Sequence, residues 1–452
     1  MNDNQKKKYI LFSPVGNNDP LGIVIKGEYS EGSMLHIIRH YRPEIVYLYI
    51  TKELNFGDNR YEESIKKLYP DCKVYNLFSD EEKVNDYDAF MIDFRNSIQN
   101  IHNEYSKNGY NILLNVSSGT PAMKSNLLLE VVNSNIKLIP IQVSTPAKGS
   151  NYHREKIIFN IDLLSKIDEQ KEQLNNRCSE IKVLSFKKVK IKSQIESLIN
   201  RYEYSAALQI FNEDENAVNL FDSKLPVYLK HCVYRMNSQF REAKKLLLDN
   251  SINVLDYSNG NEIVREFFEY YYIMKIRQSK GALTDFVLRI TPFITKLLYY
   301  FLNEKYNLNI NKYIHIAKNG THYIKRELID KNNKDLLYFL DNLYHKSEFK
   351  GTFLNFNTLI DIALYYCDKL NDNNYVRVYD DFKYFSEIER ERNKAAHTMI
   401  NIDEDFIKSN LNKSSIDILK NCESLLKMIF NYQNDYFVYD DINKSIREVL
   451  QK

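Results

Sequence analysis

Between residues 8 and 145 short apolar runs alternate with amphipathic stretches, and few folds accept that order. The apolar runs are Tyr9–Phe12, Ile45–Ile50, Val74–Phe78, Ile112–Val116 and Leu138–Val143. Apolar on both faces, they suit parallel strands covered on either side. Between them Ser33–His40, Tyr61–Leu68, Ala89–Tyr105 and Ala122–Val132 carry helical spacing. The expectation is an α/β, Rossmann-like N-terminal domain built on a doubly wound parallel sheet.

After about residue 165 the pattern changes. Leu163–Lys192 reads as a charged connector, and its basic run Lys187–Lys192 as solvated linker. From Gln194 onward the periodicity is helical, as in Ile195, Leu198, Ile199 and Tyr202. No fixed period recurs three times, which argues against a solenoid. Little in this half looks like strand, so an all-α C-terminal region is expected. A chain of 452 residues is too long for one core.

Basic and acidic residues nearly balance, at 62 and 60, so any nucleic-acid contact must be local rather than a coat of positive charge. The cysteines, Cys72, Cys178, Cys232, Cys367 and Cys422, are odd in number and never paired as C-x-x-C. That pattern points away from disulfides and zinc, and toward a reducing cytoplasm. Residues 1–8 are polar with no apolar core of a signal peptide. The apolar stretch Phe286–Leu302 is broken by Arg289, Pro292 and Lys296, so no membrane span is expected.

Ligands of open α/β sheets bind beyond the carboxyl ends of the strands. Three loops lie there: residues 13–20 after the first expected strand, 115–121 after the fourth and 144–149 after the fifth. In the second of these, Ser117-Ser118-Gly119-Thr120-Pro121, Thr120 suits a helix N-cap and Pro121 the first helical turn. Small residues and free N–H groups at a helix start attract anions. A well-capped turn with no ligand reads equally well from the motif alone. Gly16 is the single glycine of the first loop, so the G-x-G-x-x-G of dinucleotide enzymes is missing, as is a Walker motif.

In the C-terminal half Arg392 and His397 form an R-x-x-x-x-H pair. Seventeen arginines and nine histidines would give about 0.3 such pairs by chance, so spacing alone specifies little. The chemistry suits RNA cleavage without a metal: arginine steadies a phosphate gaining charge, and histidine moves protons near neutral pH. One histidine is few for both acid and base, which a two-fold dimer would remedy. The plainer alternative is a surface arginine and a helix-terminal histidine.

Taken in order, these motifs resemble the CARF–HEPN ancillary ribonucleases of type III CRISPR systems, type III-A in particular. Ser117–Pro121 is similar to the CARF ligand loop, and Arg392-Asn393-Lys394-Ala395-Ala396-His397 to the HEPN motif. Thr284–Tyr306, an apolar helix with Pro292 inside, resembles an early HEPN helix. The resemblance implies a CARF sensor over 1–168, a helical connector over 169–280 and a HEPN ribonuclease over 281–452. It implies a homodimer that binds cyclic oligoadenylate, hexameric rings favoured over tetrameric, and then cuts single-stranded RNA with no cofactor and no metal. No membrane and no stable association with the CRISPR effector complex is implied. Carried over, the catalytic residues are Arg392 and His397 supported by Asn393. The activator residues are Asn17, Asn18, Asp19, Ser117, Ser118, Gly119 and Thr120, with Lys148 added. Some relatives slowly destroy their activator, for which Ser118 and Thr120 are the candidates here.

Other features have plainer readings. His36 and His40 share a helix face but lack further metal ligands, so a solvated or partly buried face is expected. His315 and His322 read as structural or solvated. The aromatic runs 267–272 and 298–302 suit core packing before base stacking. The main alternative function is a non-catalytic, ligand-responsive regulator with the same sensor, although no compact helix-turn-helix accompanies it.

Overall fold

The computed structural model describes residues 7–25, 28–145, 159–169, 175–253, 261–343, 348–389, 401–432 and 437–451. The chain divides into two compact units, the first mainly residues 1–198 with 206–225, the second mainly 226–448 with 199–205.

The first unit is built on β1 (Lys8–Pro14), β4 (Ile45–Thr51), β5 (Lys73–Ser79), β6 (Tyr110–Asn115), β7 (Leu138–Val143) and β8 (Cys178–Glu180), ordered β5-β4-β1-β6-β7-β8. All neighbours run parallel except β8, which pairs antiparallel with β7. Leu11, Val46, Leu48 and Leu113 face one core with Leu35 and Ile38 of α1 (Ser33–Tyr41) and Ile65 of α2 (Arg60–Leu68). Ile10, Phe12, Tyr49 and Leu114 face the other, with Phe94 and Ile98 of α3 (Met91–Tyr105) and Leu127 of α4 (Pro121–Asn133). All seven residues of β4 are buried, which is why that strand reads as a continuous apolar run. The chain winds outward from β1 in both directions, so the crevice lies where β1 and β6 end.

Three features depart from the sequence reading. A hairpin of β2 (Leu21–Ile25) and β3 (Glu28–Glu31) stands between β1 and α1, where no element was expected. The supposed connector contributes β8 to the sheet, preceded by α5 (Leu163–Glu169) and followed by α6 (Leu184–Ile199). The basic run is not solvated linker. It lies in α6, where Lys187, Ile191 and Ile195 are buried at helical spacing. Lys187 Nζ donates to Ser134 O at 2.6 Å and lies 3.1 Å from Asp214 Oδ2.

The second unit is mainly helical, with long helices Glu262–Ser279, Leu283–Tyr300, Phe356–Leu370 and Ser415–Phe430. Pro292 sits inside the second of these, which runs on into a π-helical turn at Phe301–Lys305. Phe267, Phe268, Tyr271, Tyr272, Phe301 and Leu302 are all buried, so both aromatic runs serve as core. The unit is not purely helical. It carries a three-stranded antiparallel sheet of β9 (Ile314–Ile316), β10 (His322–Ile324) and β11 (Thr352–Phe353), in the order β11-β10-β9. Among the described residues no helix is long and apolar enough to cross a membrane.

Candidate functional site

A cleft of about 260 Å³ opens beyond the ends of β1 and β6. Its lining includes Asn17, Asn18 and Asp19 after β1, Glu31 to Ser33 where α1 begins, Ser117 to Gly119 after β6, Lys124 one turn into α4, and Arg177 before β8. Two helices therefore start at its wall. Thr120 caps α4 by accepting from Met123 N, with Pro121 in the first turn. The N-cap of α1 is Gly32, with no acidic residue in the first turn. The positive ends of both helix dipoles favour an anion here.

The loops pack closely. A Cβ on Gly32 would fall 2.4 Å from Asn18 O, and Gly119, at φ +84°, would set one 2.7 Å from Met123 Sδ. Only glycine fits both places. A partly buried hydrogen-bond chain fixes the polar groups. Asn115 Nδ2 donates to Ser33 Oγ at 3.3 Å, Ser33 and Ser118 share a hydroxyl contact, and Ser118 donates to Asp19 Oδ2. Asn115 Oδ1 accepts from the amides of Ser117 and Ser118, at 3.0 and 3.3 Å. Asp19 also accepts from Gly16 N at 2.9 Å and Met34 N at 3.2 Å. Burial pushes the Asp19 carboxyl above the ordinary range, against these hydrogen bonds and the charge of Lys124.

Beneath the cleft lies a second network. Burial works to raise the Glu31 carboxyl, but hydrogen bonds from His36 and Arg39 prevail and hold it below its usual range. His36 Nε2 accepts from Arg177 N at 3.1 Å, so Nδ1 carries the proton toward Glu31 Oε2, 3.3 Å away. Both ring nitrogens of His36 are thus engaged. The His36 and His40 rings meet edge to face, 4.5 Å between centroids, as part of the framework. Among the described residues no group of three histidine, cysteine or acidic side chains could hold a metal ion.

Arg177 stands out. Its Nη1 donates to Ser144 O at 2.6 Å, while Nε and Nη2 are buried with no hydrogen-bond partner among the described residues. Burial draws its guanidinium below the usual arginine range. A cationic fork left half unpaired in an anion-attracting cleft has the chemistry of a phosphate clamp.

Of the residues picked from sequence, Asn17, Asn18, Asp19, Ser117, Ser118 and Gly119 line this one cleft. Thr120 stands apart from the lining. Its hydroxyl is occupied by the helix cap and by Val84 O at 2.6 Å. Lys148, Arg392, Asn393 and His397 lie outside the described residues. Sequence reasoning missed Glu31, Ser33, Lys124 and Arg177. Lys124, four residues beyond the cap, could have been found by helical spacing.

Comparison with known proteins gives three family matches in chain order: the Cas_Csm6 CARF domain over residues 64–178, the CRISPR-associated protein Csm6 6H domain over 181–236, and the Cas_Csm6 HEPN domain over 256–447. The chain is 25% identical to the CRISPR system endoribonuclease Csm6 of Enterococcus italicus, over 98% of this chain and 100% of that one. It is 29% identical to the Csm6 of Mycobacterium tuberculosis, over 64% of this chain and 67% of the relative. Its fold matches that of Enterococcus italicus Csm6 bound to cyclic hexa-2'-fluoro-hexa-dAMP, with a TM-score of 0.72, 24% identity and coverage of 98% and 100%.

Proposed function

The chain belongs to the CARF–HEPN endoribonucleases of type III CRISPR systems, with CARF, 6H and HEPN domains in that order, and from this we propose that it is a ribonuclease switched on by cyclic oligoadenylate. The family displaces the non-catalytic regulator considered from sequence. The observation that carries the ligand assignment is the cleft itself: two helix N-termini, Lys124 and the half-unpaired Arg177 face one space. Such a lining suits a ligand with several phosphates and hydroxyls. A hexameric ring is favoured over a tetrameric one, in keeping with the analogue named for the Enterococcus italicus structure. The sensor reading spans 1–168 and draws in Arg177, with a helical connector over 169–280 and the nuclease over 281–452. Lys148 is retained as a contact from the neighbouring loop.

We further propose a homodimer in which two copies of Arg392 and His397, supported by Asn393, meet at one site. The RNA 2′-hydroxyl gives up its proton to one imidazole as its oxygen attacks phosphorus. The bond to the 5′-oxygen breaks, and that oxygen takes a proton from the other imidazole. The products are a 2′,3′-cyclic phosphate and a 5′-hydroxyl. Arg392 balances the charge gained on the phosphoryl oxygens. The balance of atoms requires no metal. Slow self-limiting cleavage of the activator would use the same 2′-oxygen chemistry in the cleft, with Ser118, wired to Asp19, better placed than Thr120. The setting is cytoplasmic, with no stable attachment to membrane or effector complex.

The test is degradation of labelled single-stranded RNA in chelator, with cyclic hexa-adenylate, cyclic tetra-adenylate or neither. Cleavage that needs the hexameric ring and survives chelation supports the reading. Loss of cleavage in chelator would overturn the metal-free chemistry, and indifference to both rings would overturn the sensor assignment.

A further inference from the structure

We infer that the exposed face of the β9–β11 sheet is a single-stranded RNA platform, where bases stack on Tyr323 and Phe353 while nearby lysines hold the backbone. From the nuclease reading this takes only that RNA is the substrate; no Arg392 or His397 chemistry enters it.

The register places His315 opposite Tyr323 and Tyr323 opposite Phe353, so the three form one row across the sheet. The Tyr323 and Phe353 rings lie 4.7 Å apart, tilted by 33°. The next row, through Ile324, has the opposite orientation and goes into the core, Ile324 being fully buried. A sheet covered on one side normally shows water a polar face. Here that face is aromatic, with Phe353 57% exposed and His315 exposed beside it.

Charge argues for a nucleic-acid occupant over an apolar protein one. Residues 311–325 and 349–355, which form the three strands and the β9–β10 turn, hold Lys312, Lys318, Lys325 and Lys350 and no acidic residue. In a chain where acids and bases nearly balance, that is a local excess of positive charge. Lys325 Nζ lies 5.4 Å from the centre of the Tyr323 ring, so cation and stacking surface adjoin. Lys318 stands exposed at the hairpin tip, in a turn closed by Gly320 N to Ala317 O at 2.8 Å. The neighbouring Arg326 is spent on Asp341, which it grips with both terminal nitrogens at 2.6 and 3.0 Å, and takes no part. Aromatic rings on a small antiparallel sheet, flanked by cations, are how proteins hold unpaired bases without reading sequence.

The probe is a labelled single-stranded oligoribonucleotide methylated at every 2′-oxygen, which cannot be cut by its own hydroxyl. Its binding to the full-length protein is followed by fluorescence anisotropy over a salt series. Tyr323→Ile with Phe353→Ile keeps strand-forming residues and removes the rings; it should weaken binding about 10-fold or more. Lys318→Glu with Lys325→Glu removes two phosphate contacts and should lower the slope of log affinity against log salt by about 1.4. Should the ring variant fail to fold, the lysine variant carries the test alone, because Lys318 is exposed and the Lys325 side chain leaves its backbone bond to Tyr313 intact. Affinity and salt slope unchanged in folded variants would overturn the platform, as would absence of binding by the unaltered protein. RNA cleavage by the unaltered protein reports separately on the nuclease reading. Binding without cleavage leaves the platform standing and the nuclease reading fallen.

Discussion

Replacing Arg177 by methionine should weaken activator binding while making the empty protein more stable. The two effects have opposite signs for one reason. In the empty cleft the guanidinium makes one hydrogen bond, Nη1 to Ser144 O at 2.6 Å, worth about 1 kcal/mol. Against it stand two buried donors, Nε and Nη2, with no partner among the described residues. Each such donor costs about 1–3 kcal/mol, and methionine removes both while keeping the apolar stem. Stability of the unliganded protein is therefore expected to rise by about 1 kcal/mol or more. With the activator present, the guanidinium turns toward the cleft so that both donors meet phosphate oxygens in charge-assisted hydrogen bonds of about 1.5–3 kcal/mol each. Losing about 3 kcal/mol weakens affinity on the order of 100-fold. Arg177→Lys should recover only part of it, since an ammonium cannot present a planar fork. Titration calorimetry with cyclic hexa-adenylate reads the affinity, and urea unfolding without ligand reads the stability. Unchanged affinity, or a loss of stability that accompanies the loss of affinity, would show that Arg177 is merely a structural tie.

Three further outcomes are expected. His397→Ala should lower RNA cleavage about 10²- to 10⁴-fold in a single-turnover assay while cyclic hexa-adenylate still binds with unaltered affinity; retained cleavage removes the residue from the mechanism. Lys187→Ala leaves Asp214, itself nearly inaccessible, as an uncompensated charge and should cost about 3–5 kcal/mol in urea unfolding, whereas Lys187→Met with Asp214→Leu should cost far less. His231 is held to about 4 by burial and by Arg235, from an ordinary value of 6.5, and Nδ1 donates to Ala243 O at 2.9 Å. Because the folded state resists a proton that the unfolded chain accepts, stability is full above pH 6.5 and falls by about 3 kcal/mol as pH drops toward 4. His231→Asn, which preserves a donor for Ala243 O, should flatten that part of the unfolding profile.

The parallel sheet was legible because burial on both faces leaves a plain mark: unbroken apolar runs such as Ile45–Ile50. The loop after β6 was legible because its capping chemistry is local, with Thr120, Pro121 and the strand before them within one short window. Arg177 was not, because its place depends on an antiparallel strand of three residues, Cys178–Glu180, added to the sheet edge. Nothing in so short a run announces pairing with a strand some 35 residues earlier. Lys187 was misread for a related reason. Its run of lysines reads as solvated until helical phase puts one position in every turn against the core, and the ion pair that makes this tolerable comes from Asp214, far along the chain. The β9–β11 sheet escaped because its strands are two or three residues long and sit among helices.

The antiparallel edge strand also matters to anyone who would graft this sensor onto another output module. A segment excised before Asn176 would carry every loop recognisable in the sequence, yet it would lose both the guanidinium and the peptide that hold Ser144, and expose the flank of β7 to pairing with a stranger. A working transplant has to extend through Glu180, placing the splice at the approach to α6, so the portable unit is longer than its recognition motifs suggest.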